Sequence, residues 1–216
     1  MSRYLAAQLA GNPREALRLV LEDGLGAGLS ARDVDLRVVA EAQRELGRLW
    51  ENNEISVADE HQATAISQLV LSHLYTSLQR DSRVGKIIVV ACVEGEQHDM
   101  AARIASDVLE SAGFDVVFLG ANVPTASLVD KLRAVKADAL ALAVTMSFHL
   151  DAVRTTITRV RDALGAELPV LVGGDAVVDA PELAASPGVH VSQGSALELV
   201  AIARRVLGVA PAEGPP

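Results

Sequence analysis

The sequence predicts an α/β fold, in which an N-terminal four-helix bundle precedes a Rossmann-like (flavodoxin-like) domain with a five-stranded parallel sheet. Up to about Arg80 the apolar residues recur at helical spacing with no strand signal. Beyond a polar stretch, Arg80-Asp81-Ser82-Arg83-Val84-Gly85, short apolar runs alternate with helical ones. Those short runs are apolar on both faces, as strands must be when helices cover a parallel sheet on each side.

In the first domain the helical spacing shows in Leu17, Leu19, Val20 and Leu21, and again in Val38, Val39, Ala42 and Leu46. Breaks fall at Gly11-Asn12-Pro13, where Pro13 suits a first helical turn, between Gly24 and Ser30, and at Asn52-Asn53. Four helices follow. Ser56 with Asp59 reads as a variant capping box opening the fourth, with Asp59 and Glu60 in the first turn where the helix dipole favours acids. The expected division is a bundle over 1–80, a linker over 81–85, the Rossmann-like domain over 86–207, and a flexible Pro-, Ala- and Gly-rich tail over 208–216. Strands are expected at 87–92, 116–119, 139–144 and 170–172, with a weaker fifth at 189–192.

A chain of 216 residues is long enough for two small domains, each with its own core. Hydrophobic residues make up 50% and aromatics 3%, so the cores are built from Ala, Val, Leu and Ile, and the single Trp invites a functional reading. The formal charge of −9, without basic runs, argues against direct binding to nucleic acid or to anionic membranes. One cysteine, Cys92, excludes an internal disulfide, and no signal peptide or apolar run of roughly 20 residues is present. The expectation is a soluble cytoplasmic protein.

Ligands of open α/β sheets bind beyond the carboxyl ends of the strands, so the residues just after each run carry the functional reading. After the first run comes Glu94-Gly95-Glu96-Gln97-His98-Asp99-Met100; after the third, Thr145-Met146-Ser147-Phe148-His149; after the fourth, Gly173-Gly174-Asp175. His98 can offer an imidazole nitrogen to a metal while Glu96 holds the other ring nitrogen. Paired glycines let backbone approach a bulky ligand. No Gly-x-Gly-x-x-Gly follows the first strand, and no Ser/His/Asp or Cys/His nucleophile stands out.

The first loop, Glu96-Gln97-His98-Asp99-Met100-Ala101, resembles the cobalamin (vitamin B12) motif Asp-x-His-x-x-Gly. Ala143-Val144-Thr145 and Gly173-Gly174 fall where that family carries Ser-x-Leu and Gly-Gly, and 112–124 is similar to its second strand and following loop. The resemblance implies that the cofactor's dimethylbenzimidazole tail enters the α/β domain and that His98 is the lower axial cobalt ligand. It also makes Glu96, Gln97, Asp99, Met100, Ala143, Thr145, Ser147, His149, Gly173 and Gly174 contacts of the cofactor. Glu replaces Asp at 96, Ala replaces Gly at 101, and Ala143 lacks the hydroxyl that meets the tail, a role open to Thr145 or Ser147.

In the bundle, Trp50, nine residues, then Glu60-His61 is similar to the W-x9-EH motif of CarH-type cobalamin photoreceptors. That resemblance implies that the bundle caps the upper face of cobalamin. Trp50 and Glu60 then lie at the upper axial group of adenosylcobalamin, and His61 is a ligand able to take that position after light. The implied protein is a non-enzymatic light sensor standing alone, without a DNA-binding domain, whose output passes to a partner protein or through self-association. Two alternatives share the motifs: a photoreceptor that also holds a noncovalent bilin such as biliverdin, and a corrinoid methyl carrier serving a methyltransferase.

Overall fold

The structure, a computed structural model, describes residues 1–210, and the chain divides into two compact units, one spanning Met1–Gln79 and the other beginning at Arg80. In the first unit α1 (Ser2–Leu9) turns at Gly11 into α2 (Pro13–Arg18), which continues as a π-helical stretch, Leu19–Gly24. The Asn12 side chain accepts from Glu15 N at 3.1 Å and Pro13 occupies the first turn. Gly11 has φ +62, and a Cβ there would press on the Gln62 amide.

Ser30 caps α3 (Ala31–Val34), which runs through a second π-helical stretch, Asp35–Val39, into α4 (Ala40–Glu51). Last comes α5 (Val57–Leu74), opened by the capping box in which Ser56 N donates to Asp59 Oδ2 (2.9 Å) and Asp59 N to Ser56 Oγ (3.2 Å). The interior holds Ala16, Val34, Ala42 and Ala63 beside Leu46, Val70 and Leu71, and the small residues let the helices approach closely. Burial pushes the Tyr4 phenol up to about 12, so it is a hydrogen-bond donor throughout the ordinary pH range.

The second unit is a parallel sheet of order β2-β1-β3-β4-β5, made of β1 (Ile87–Cys92), β2 (Asp115–Gly120), β3 (Ala139–Ala143), β4 (Val170–Gly173) and β5 (Val189–Ser192). Side chains alternate between its faces. Val89 and Ala91 pack with Leu128 and Leu132 of α7 (Thr125–Val135) and Val153 and Ile157 of α8 (Leu150–Leu164). Ile88, Val90 and Cys92 pack with Leu109 of α6 (Met100–Ser111) and Leu199 and Ile202 of α9 (Ala196–Val206). Helices thus cover both faces, which is why β1, β3 and β4 read as unbroken apolar runs. Cys92 is fully buried, and desolvation pushes its thiol up to about 12, with Asp99 and Glu96 acting in the same direction.

Two expectations about connections need correction. The stretch 81–85, expected as a linker, is laid onto the second unit: Asp81 N donates to Ser111 O (2.8 Å), Val84 N to Gly113 O (2.9 Å), and Arg83 pairs with Asp115. At the other end, Gly208 and Val209 belong to the fold, with Val209 N donating to Arg204 O (2.9 Å) and the Val209 side chain against the core. The rest of the expected tail, 211–216, lies outside the described residues.

Candidate functional site

In a sheet of order 2-1-3-4-5 the chain reverses its direction of winding between β1 and β3, and the crevice beyond those carboxyl ends is where ligands bind. The loops after β1 and β3 meet there on one carboxylate. Glu96 Oε1 accepts from His98 N (3.0 Å) and His98 Nδ1 (2.5 Å). Its Oε2 accepts from Thr145 N (2.8 Å), Met146 N (3.0 Å) and His149 Nδ1 (3.2 Å). The Glu96 side chain is 0% exposed and that of His98 is 45% exposed. Burial raises the Glu96 carboxyl, but the N–H groups of His98 and Met146, the His98 ring and the Thr145 N–H outweigh it and bring it down to about 2.

The chemistry of His98 follows from this contact. With Nδ1 engaged by a carboxylate, the ring proton sits there, and Nε2, unengaged among the described residues, keeps its lone pair on a half-exposed ring.

The β1 loop is also fastened to the loop after β2. Gly95 N donates to Asn122 Oδ1 (2.8 Å), Asn122 N to Glu96 O (2.8 Å), and Glu94 Oε2 accepts from Thr125 N (3.2 Å). Gly95 has φ +92, and a Cβ there would sit 3.0 Å from His149 Nε2. The interloop contact between Glu96 and His149 is the part that sequence reasoning missed.

The remaining expected residues of this unit are placed as follows. Gln97 is exposed, Asp99 stands at the N-terminus of α6 without a side-chain cap bond, and Met100 is buried in the first turn. Ala143 ends β3, paired with Cys92 on one side and Gly173 on the other. Ser147 Oγ donates to Asp179 (2.5 Å). The two glycines differ. A Cβ on Gly174 (φ +112) would overlap the Val144 carbonyl, so the chain itself fills that space, whereas one on Gly173 would make only ordinary contacts with Ser192. The close approach expected at Gly174 is therefore to backbone.

In the first unit, Gln43, Gly47 and Trp50 share a face of α4 at helical spacing, Trp50 is half-buried, and a Cβ on Gly47 would meet nothing within 4 Å. Glu60, 19% exposed, accepts from Thr64 Oγ1 (2.6 Å) and lies 2.6 Å from Nδ1 of the 72% exposed His61. Thr64, four residues after Glu60, could have been noticed from the i,i+4 rule.

A family model described as "B12 binding domain" matches residues 86–203, and a second of the same description matches residues 2–75. The chain belongs to the B12-binding family. This B12-binding chain is 32% identical over 195 residues to the HTH-type transcriptional repressor CarH of Myxococcus xanthus, covering 89% of the chain and 63%, less than two thirds, of that protein. It is 30% identical over 156 residues to the dimethylamine corrinoid protein of Methanosarcina barkeri, covering 72% of the chain and 68% of that protein. The fold is that of the Methanosarcina barkeri monomethylamine corrinoid protein, with TM-score 0.74 at 20% identity over 94% of this chain and 96% of that one. A cobalamin-binding protein from Desulfitobacterium hafniense DCB-2 aligns with TM-score 0.51 at 25% identity, over the same shares.

The residues fit cobalamin. One outward imidazole nitrogen, backed by a buried carboxylate, is too little to hold a bare ion but suffices for cobalt whose equatorial ligands belong to a macrocycle. Among the described residues no helix is long and apolar enough to cross a membrane.

Proposed function

We propose that this B12-binding chain is a light sensor that uses adenosylcobalamin. The observation that carries the proposal is the sequence spacing of Trp50, near the end of α4, and Glu60-His61, near the start of α5, in a chain related over 89% of its length to the transcriptional repressor CarH. Bound adenosylcobalamin supplies a cobalt–carbon bond that visible light breaks.

The protein's own residues do the rest. His98 would hold cobalt through Nε2, and Glu96, by engaging Nδ1, favours the neutral tautomer that leaves the lone pair on Nε2. Gln97, Asp99 and Met100 would flank that ligand, and Ala143, Thr145, Ser147, His149 and Gly173 would border the space for the nucleotide tail. Trp50 would fill space and exclude water beside the cofactor's organic group, with Glu60 near it. His61, its Nδ1 engaged by Glu60, offers Nε2 as a second imidazole donor. His61 would be the residue placed to hold cobalt once the organic group has left, and such a change of ligand would bias packing or association and so signal to a partner.

A second reading, a corrinoid methyl carrier, is favoured by the relationship to the dimethylamine corrinoid protein. One experiment separates the two. The protein is reconstituted with adenosylcobalamin, with and without biliverdin, and its absorption is recorded before and after illumination. A lasting spectral change that differs in His61→Ala and is altered in Trp50→Ala supports the sensor. Absence of any lasting change, with methyl transfer intact in Trp50→Ala, establishes the carrier instead. A new long-wavelength band with biliverdin adds a bilin to the sensor.

A further inference from the structure

Glu60 and His61 are the end of a hydrogen-bonded chain that crosses the first unit. As a carboxylate, Glu60 can only accept, and this orients every proton behind it. The Thr64 hydroxyl donates to Glu60 Oε1 at 2.6 Å, so its oxygen accepts from Gln43 Nε2 at 3.0 Å. The Gln43 amide is thereby turned with Oε1 toward Ser67, whose hydroxyl donates to it at 3.2 Å. With its proton so placed, Ser67 accepts from Gln8 Nε2 at 2.7 Å and from the Tyr4 hydroxyl at 3.1 Å.

All the donors point one way, from α1 through α5 and α4 to Glu60. Gln8 fixes the far end by also donating to Ala63 O at 3.0 Å, while its buried Oε1 has no partner among the described residues. Chains of this kind polarise one another and strengthen the last bond.

We propose that Thr64 and Gln43 are positioning residues for His61. The one-way chain fixes the Glu60 carboxylate so that Oε2 takes the proton of His61 Nδ1, 2.6 Å away, and Nε2 is left as the nitrogen with a free electron pair. An imidazole without such a partner samples both tautomers. The assignment rests on the light-sensor reading only for what Nε2 is used for.

The test is the nitrogen-15 spectrum of His61 in the full cofactor-free chain with labelled histidine, well above the ordinary histidine pKa. In the wild type, Nδ1 resonates as a protonated and Nε2 as a bare nitrogen. In Thr64→Val the two resonances move toward each other as the second tautomer is populated, and Thr64→Ser restores them. Gln43→Met, which keeps the Thr64 hydroxyl, gives a smaller movement in the same direction and adds nothing to Thr64→Val. The resonances of His73 and His190 stay fixed, which separates positioning from a general loosening.

Wild-type His61 resonances in Thr64→Val, or failure of Thr64→Ser to restore them, overturn the assignment. Should Thr64→Val not fold, unchanged His61 resonances in Gln43→Met overturn it. Tautomer shifts as described, combined with a light product identical in wild type and His61→Ala, uphold the positioning role and remove His61 as the upper ligand. Unmoved resonances with an altered His61→Ala product do the reverse.

Discussion

Inside the folded chain the Glu96 carboxylate is cut off from water and yet surrounded by donors, and the donors prevail, bringing it down to about 2 from an ordinary 4.5. A carboxyl lowered on folding contributes stability that is fully present above pH 4.5 and is lost as the pH falls from there toward 2. A depression of this size corresponds to about 3 kcal/mol. Glu96→Gln is expected to lose about 2–3 kcal/mol near neutral pH, because an amide N–H₂ then faces N–H donors from one of the two loops. Urea melts at neutral pH and below pH 4.5 check this, since the gap between wild type and variant narrows with acid. The pairing of Glu96 with His98 was legible in the sequence, because two residues in one loop share a short tether. The Glu96 contact with His149 spans 53 positions and depends on β1 lying beside β3, which no local pattern reveals.

At the level of single elements, β1, β3 and β4 were legible because both faces of the sheet are covered and these strands are apolar throughout, whereas β5, with His190 and Ser192, gave a weaker signal. The π-helical stretches Leu19–Gly24 and Asp35–Val39 were not legible, since a one-residue change in hydrogen-bond step hardly disturbs the spacing of apolar side chains. Two glycines inside or beside regular elements give opposite predictions. Gly47→Ala in α4 is expected to stabilise the cofactor-free protein by about 1 kcal/mol, because the methyl group meets nothing and helix propensity improves. The same change narrows the Trp50 face, and on the proposed function it lowers adenosylcobalamin affinity. Gly174→Ala is expected to cost about 3 kcal/mol, because φ +112 with ψ 169 is a region essentially confined to glycine. Thermal melts of the two variants, side by side, show the contrast.

For the whole molecule, each unit has its own apolar interior, and cofactor binding is linked to folding through whichever groups bind only in the native state. Cobalamin at about 100 times its Kd is expected to raise the stability of the chain by about 2.7 kcal/mol, and His98→Ala to abolish most of that gain, besides lowering the cofactor-free stability by about 1 kcal/mol through loss of the ring's bond to Glu96. Denaturation with and without cobalamin measures both. The burial of Cys92 also has a practical side. Cys92 is the chain's single thiol, it has no exposed surface, and its thiolate is suppressed, so native protein should resist maleimide reagents. Cysteines introduced at the exposed positions Leu69 and Leu197 would then be the reactive handles, one in each unit. Spin labels attached there make the chain its own ruler: electron–electron distance distributions, recorded before and after illumination without deleting any native residue, would report directly whether light moves one unit against the other.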